Sequence, residues 1–213
     1  DGNNNFKTHT MKKIFTLLAL TITFSMNAQI DDNSSGTSAT GINSVAMGYN
    51  TEASGWYSTA MGYDTTASGD SSTAMGNGST ASGNSSTAIG LSSTASDSHS
   101  IAIGRSTTSS GSHSVAMGFG TTASGNRSTA TGAYTTASDF GSTVIGQYNS
   151  SGSSVTGSAT AFSTANTAFV IGNGADSSNK SDAFKVMFNG DATVSNDLTV
   201  SGDVVVSSDA RLK

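Results

Sequence analysis

The imidazoles of His99 and His113 come nearest, in type and spacing, to a chemical site, and they stand fourteen positions apart. Fourteen is also the period of the chain, so the pair would stack on neighbouring coils roughly 5 Å apart. Stacked histidines can bind a metal, but no third ligand of fixed spacing accompanies them. The expectation is therefore exposed turn histidines, with no metal and no cofactor. Asp64, Asp70, Asp97 and Asp139 are scattered over turns without the pattern of a calcium loop. No Ser-His-Asp order or phosphate loop stands out, and a glycine-rich match in this composition is close to noise.

The elements that would position these groups follow from eight copies of a fourteen-residue unit, running from Ser44 to about Ser153. Serine returns at Ser44, Ser58, Ser72, Ser86, Ser100, Ser114, Ser128 and Ser142. Alanine follows two residues later in seven copies, with Val144 in the eighth, and glycine two residues after that. Half a period on comes a second small pair, of the form Ala53 and Gly55. A fixed short period of small residues marks a solenoid whose repeats bury themselves only against neighbours.

Each unit offers two short stretches of period-two chemistry, of the forms Ser44–Gly48 and Thr65–Gly69. Glycine at the end of each stretch suits a turn with positive φ. Asp97 and Asp139 replace the second glycine in two copies, and aspartate also tolerates that region. An α-helix is excluded by glycine recurring about every seven residues. Coils pairing in parallel about 4.8 Å apart would make a rod of roughly 38 Å. Ser44, Ala46 and Gly48 would face a thin interior, and Val45 and Met47 would face away.

The outward position carries a stripe of Met47, Met61, Met75, Ile89, Ile103, Met117 and Ile145, interrupted by Thr131. Burying seven such side chains is worth on the order of 10 to 20 kcal/mol as an upper bound. Another copy of the chain would cover them; a fatter single-chain coil would hide them inside. A second outward array pairs Thr66, Thr80, Thr94, Thr108, Thr122 and Thr136 with Ser68, Ser82, Ser96, Ser110, Ser124 and Ser138. Such a flat grid of hydroxyls and methyls is what ice-binding solenoids present, although threonine also simply suits strands. The large side chains Trp56, Tyr57, Tyr63, Phe119, Tyr134 and Phe140 fall on turns, where they serve either as surface contacts or as covers for coil ends.

Composition narrows the function. Charged residues are 11% and aromatics 7% of 213 residues, too few for a thick core, and proline is absent. A net charge of −5 argues against nucleic acid. Without cysteine there is no disulfide, thiolate metal site or thiol nucleophile. Met11-Lys12-Lys13, the apolar run from Ile14 to Phe24, and Ala28 before Gln29 read as a secretory signal.

The repeat form S-x-A-x-G-x-x-x-x-A-x-G, carried by Ala39 to Ser153, resembles the head of YadA-type trimeric adhesins, also called Hep/Hag repeats. The resemblance implies an all-β, left-handed parallel β-roll of 14-residue coils, a homotrimer, and display on a bacterial surface or outer membrane as a non-enzymatic binding head. The membrane-barrel anchor of true autotransporters is not present in these residues. The closing hexapeptide Ser208-Asp209-Ala210-Arg211-Leu212-Lys213 is similar to the opening of an endosialidase-type intramolecular chaperone. That likeness implies autocleavage before Asp209, with Ser208 as nucleophile and Lys213 as its base.

The expected organisation is upstream residues 1–10, a signal peptide 11–28, a linker 29–37 and the β-roll 38–153. A β-rich neck 154–207 follows, with a hairpin at Asn189-Gly190, and then the start of a truncated chaperone at 208–213. The expected function is an exported fibre head adhering to a surface, host matrix or other cell. A phage-like tail fibre with a self-cleaving chaperone, or an ice-binding solenoid, are the alternatives. The receptor is not readable.

Overall fold

A computed structural model describes residues 30–31 and 35–199. The expected signal peptide and the Ser208 to Lys213 hexapeptide lie outside these residues. The described part is all-β, without helix, and its repeats form a parallel solenoid. Each coil gives one five-residue strand, from Val45–Tyr49 in the first to Thr143–Gln147 in the last. It also gives one two-residue strand, from Ser38–Ala39 to Thr136–Ala137. The long strands stack into a twelve-stranded sheet and the short ones into an eight-stranded sheet.

Register follows the period without slippage. Ala46 pairs with Ala60, Met47 with Met61 and Tyr49 with Tyr63, and Ile103 with Met117 farther along. A one-residue slip would turn every alanine outward, so the pattern specifies the pairing strongly.

Between the sheets the core is thin. Two alanine columns, led by Ala46 and Ala53, are fully buried, with Val144 and Val170 ending the first. Beside them run two buried hydroxyl columns, one of serines from Ser44 to Ser142 and one led by Thr51 and Thr65. Several of these hydroxyls are satisfied inside the turns: Ser44 Oγ donates to the Gly41 carbonyl at 2.7 Å, and Ser93 Oγ to the Gly104 carbonyl at 2.9 Å. Ser109, standing where other coils have alanine, shares a 2.5 Å hydrogen bond with Ser114 Oγ. Satisfaction is not uniform along the columns: the buried hydroxyls of Thr65, Ser72, Ser86, Ser100, Thr121 and Thr135 have no hydrogen-bond partner, a cost that the short side chains and the backbone ladders around them must offset.

Two expectations about glycine are corrected. The glycine ending each long strand does adopt positive φ, as at Gly48 (124°) and Gly90 (131°), but it does not line the interior. A Cβ there would strike the carbonyl of the equivalent glycine one coil on. The second glycine column, including Gly55 and Gly69, lacks positive φ; at these glycines an added Cβ would meet the backbone carbonyl one coil on, which favours glycine without excluding the aspartates of two coils. Asp97 and Asp139 in that column are likewise not left-handed. The left-handed turn positions lie nearby, at Tyr57, His99, His113 and Arg127 on one edge and at Asn50, Asp64, Ser92 and Tyr134 on the other.

The long sheet runs on past Ser153. Thr167–Asn173 stacks in parallel on Thr143–Gln147, placing Val170 over Val144 and Ile171 over Ile145. Asp182–Met187 and Ala192–Val194 then add antiparallel strands through the Asn189-Gly190 turn, where Gly190 has a φ of 94°. Leu198 and Thr199, within the expected β-rich neck, are not in a strand. At the end of the short sheet, Asn149 closes the ladder with its side chain, accepting from Thr136 N–H and donating to the Thr136 carbonyl, each at 2.8 Å.

Asp139 fastens the segment between the last repeat and this added strand. Its buried carboxylate accepts from the Thr156 N–H at 2.7 Å, the Thr156 hydroxyl at 2.5 Å and the Thr167 N–H at 2.7 Å. Burial, the largest single influence, pushes its pKa up, but the bonds from Thr156 and Thr167 together outweigh it and hold the carboxyl below its ordinary value. A folded pKa below the unfolded one gives stability that is fully present above the usual carboxylate range and lost as pH falls through the lowered value. Asp139→Asn should therefore weaken amide-exchange protection at Thr156 and Thr167 by about 1–3 kcal/mol at neutral pH. It should also remove the acid-dependent part of that loss. Unchanged protection in the variant would show that the carboxylate does not hold the segment.

Candidate interaction surfaces

Three outward surfaces result from this geometry. The first is the stripe on the long sheet. Strand pairing brings Met47, Met61, Met75, Ile89, Ile103, Met117, Thr131 and Ile145 into one column, each opposite the next. The column lies outside the coil, so the fatter single-chain roll that would hide it is not what forms. Met47 is 41% exposed and Met117 39%, and Met61, Met75, Ile89 and Ile145 are half-buried by their neighbours along the column. Most of the burial is thus achieved within one chain, and roughly a third of the 10–20 kcal/mol upper bound is left for a partner. The column extends to Ile171, which the sequence reading missed. Its signal was present: Val170-Ile171-Gly172 repeats Val144-Ile145-Gly146 at a longer interval.

The second surface is the hydroxyl grid. Thr66, Thr80, Thr94, Thr108, Thr122 and Thr136 are all half-exposed and paired in register on the short sheet. Ser68, Ser82, Ser96 and Ser110 are exposed beside them, but Ser124 is half-buried and Ser138 is buried at 5%. The Ser138 N–H donates to the Gly152 carbonyl, so the chain leaving the repeats covers the end of that column. The grid is open over its first coils and closed at its last.

The third comprises the turn aromatics, which divide between the two edges. Trp56 (55% exposed), Tyr57 (61%) and the half-buried Phe140 lie on the edge that carries His99, His113 and Arg127. There the Arg127 guanidinium sits 5.2 Å over the Phe140 ring. Tyr63, Phe119 and Tyr134 lie on the opposite edge, together with Tyr49, Tyr148, Leu91 and Arg105. On that edge Tyr49 stacks on Tyr63 at 5.3 Å, Tyr134 on Tyr148 at 4.7 Å, and Phe119 meets Tyr134 edge-on at 4.7 Å. The six aromatics are therefore not one site. Tyr49 and Tyr148 escaped notice although the signal was present, since each stands fourteen residues from another tyrosine, Tyr49 from Tyr63 and Tyr148 from Tyr134.

His99 and His113 do stack, with ring centroids 4.6 Å apart and planes 8° from parallel. Among the described residues no group of three or more His, Cys, Asp or Glu side chains could hold a metal ion.

Residues 39–65, 53–79, 67–93, 81–107 and 109–135 each match the family model of the YadA head domain repeat (2 copies). No curated protein matches the chain.

Proposed function

We propose that this chain, whose matched segments within residues 39–135 are YadA head domain repeats, is the head of an exported homotrimeric fibre that adheres to a surface, host matrix or other cell. It does so without catalysis, from a bacterial cell surface or the extracellular space. The observation that carries the reading is the Met/Ile column: an apolar stripe in unbroken register along a rod whose own core is too thin to take it. Contiguous exposed apolar surface of this kind marks an association face. Three chains sharing such faces would make one rigid rod, and repeated weak contacts on its outer surfaces would add through avidity.

The proposal includes the maturation step implied at the C-terminus, with Ser208 as nucleophile, Lys213 as its base and cleavage before Asp209. A tail fibre in which the rod is a spacer shares this step and differs in where binding lies. Displaying the chain on non-adherent cells tests the adhesive reading: cells carrying it should be retained on matrix-coated or cell-coated surfaces. Retention no better than that of undecorated cells would overturn it.

The register of the Thr66 to Thr136 column favours one second reading, binding to ice or another crystalline surface. In an ice-recrystallisation assay at matched concentration, Thr94→Lys with Thr108→Lys should abolish any inhibition. An unchanged result, or no inhibition by the original chain, removes that reading.

A further inference from the structure

We infer that His99 and His113 form a two-imidazole site for a divalent transition-metal ion of the kind that prefers nitrogen ligands, with water or an outside ligand completing its shell. The column they occupy holds Asn43, Tyr57, Ser71, Ser85, Arg127 and Gly141 in the other coils, so the two histidines fall on consecutive coils. Both sit at left-handed turn positions, with φ of 58° and 59°, which fixes the two Cα–Cβ directions alike. Both rings are exposed and lie face to face in a near-parallel stack at 4.6 Å.

Each Nδ1 meets the hydroxyl of the preceding serine in the same way. Ser98 Oγ lies 3.2 Å from His99 Nδ1, and Ser112 Oγ lies 2.9 Å from His113 Nδ1. In the tautomer where Nδ1–H donates to the serine oxygen, Nε2 keeps its lone pair and is the ligand atom. Two rings anchored identically present their Nε2 atoms on one side. Metal–nitrogen bonds of 2.0–2.1 Å ask for adjacent ligand nitrogens about 3 Å apart. In the face-to-face stack the in-plane Nε2 lone pairs run parallel, so to share an ion the two exposed rings must turn out of the stack until both lone pairs converge on it. Asp97, whose carboxylate accepts from the Ser98 N–H at 2.6 Å, adds negative charge close to the pair. The flanking cation, Arg127, is held over the Phe140 ring.

Two imidazoles leave the ion coordinatively open. Such an ion on a rigid edge can take a carboxylate or imidazole from another surface, giving the rod a metal-dependent point of attachment. Imidazole suits copper, nickel and zinc, and copper(II) is the tightest of the divalent series.

The test is a copper(II) titration of the full chain carrying His9→Ala, which leaves His99 and His113 as its two histidines. Pulsed electron paramagnetic resonance counts the imidazoles bound to the ion. One ion per chain with two imidazoles is expected. His99→Asn should leave one imidazole and weaker binding; asparagine keeps the left-handed turn, as Asn43 does in the same column. The His113→Asn variant should behave alike, and circular dichroism should show both folded. Ser98→Ala with Ser112→Ala, which removes the acceptors that favour the tautomer with Nε2 free, should weaken binding by about tenfold. A single imidazole in the starting chain, or a signal unchanged by His99→Asn or His113→Asn, would overturn the site. Adhesion lost without loss of copper binding would bear on the proposed function and leave the site standing.

Discussion

Replacing Gly90 by alanine is expected to abolish the cooperative fold of the central coils, at a cost of more than about 3 kcal/mol. Two penalties coincide at this residue. Its φ of 131° is a conformation that side-chain-bearing residues rarely adopt, and an added Cβ would run into the Gly104 carbonyl oxygen of the next coil. The obstacle is backbone held in a ladder on both sides, so no side-chain rotation relieves it. In a solenoid the damage spreads, because each coil is stabilised only by its neighbours.

Gly78→Ala is the matched control. Gly78 is also left-handed, at 66°, but the nearest atom to an added Cβ is Ser92 Oγ at 3.6 Å, and Asn50, Asp64 and Ser92 occupy the same turn position in other coils. Its cost should be about 1 kcal/mol, that of the left-handed region alone. Thermal unfolding followed by circular dichroism separates the two. Equal melting of the variants would show that close approach does not dictate the glycine column.

Much of this rod was legible in its residues because one period governs everything local. Alternation at Ser44, Ala46 and Met47 assigned the inner and outer faces, and the fourteen-residue interval fixed the register of Ala46 on Ala60 and Met47 on Met61. What the letters hid was the reason for each glycine. The same residue answers both a positive φ and a close approach, and only the backbone distinguishes Gly48 from Gly55. The left-handed turns at Tyr57, His99 and Arg127 were hidden for a related reason: the ladder imposes a conformation those residues would not choose alone.

Beyond the repeats, legibility fell with sequence distance. The Asn189-Gly190 hairpin is a local signal and was readable. Asp139 was not, since its partners Thr156 and Thr167 follow 17 and 28 residues later. The surfaces were legible as columns but not as sites. The split of the aromatics between two edges depends on which turn each occupies, which composition does not record.

Met75→Asp should break the proposed trimer, whereas Thr80→Asp should leave it assembled. Both residues are half-exposed in the single chain, Met75 on the long sheet and Thr80 on the short one. A carboxylate at either position is therefore comparably hydrated in the monomer, and the fold of the isolated rod should tolerate both. Association is what distinguishes them. If the Met/Ile column is the shared face, the variant carries three carboxylates into a dry interface, with no cation in the column to pair them. An uncompensated buried charge costs roughly 3 kcal/mol, so the trimer would lose about 9 kcal/mol, more than six powers of ten in its association constant. Light scattering should give three times the chain mass for the original protein and for Thr80→Asp, and the chain mass for Met75→Asp. A folded monomer from the original chain would remove the role given to the stripe. A trimer that withstands Met75→Asp but dissociates with Thr80→Asp would move the shared face to the hydroxyl grid.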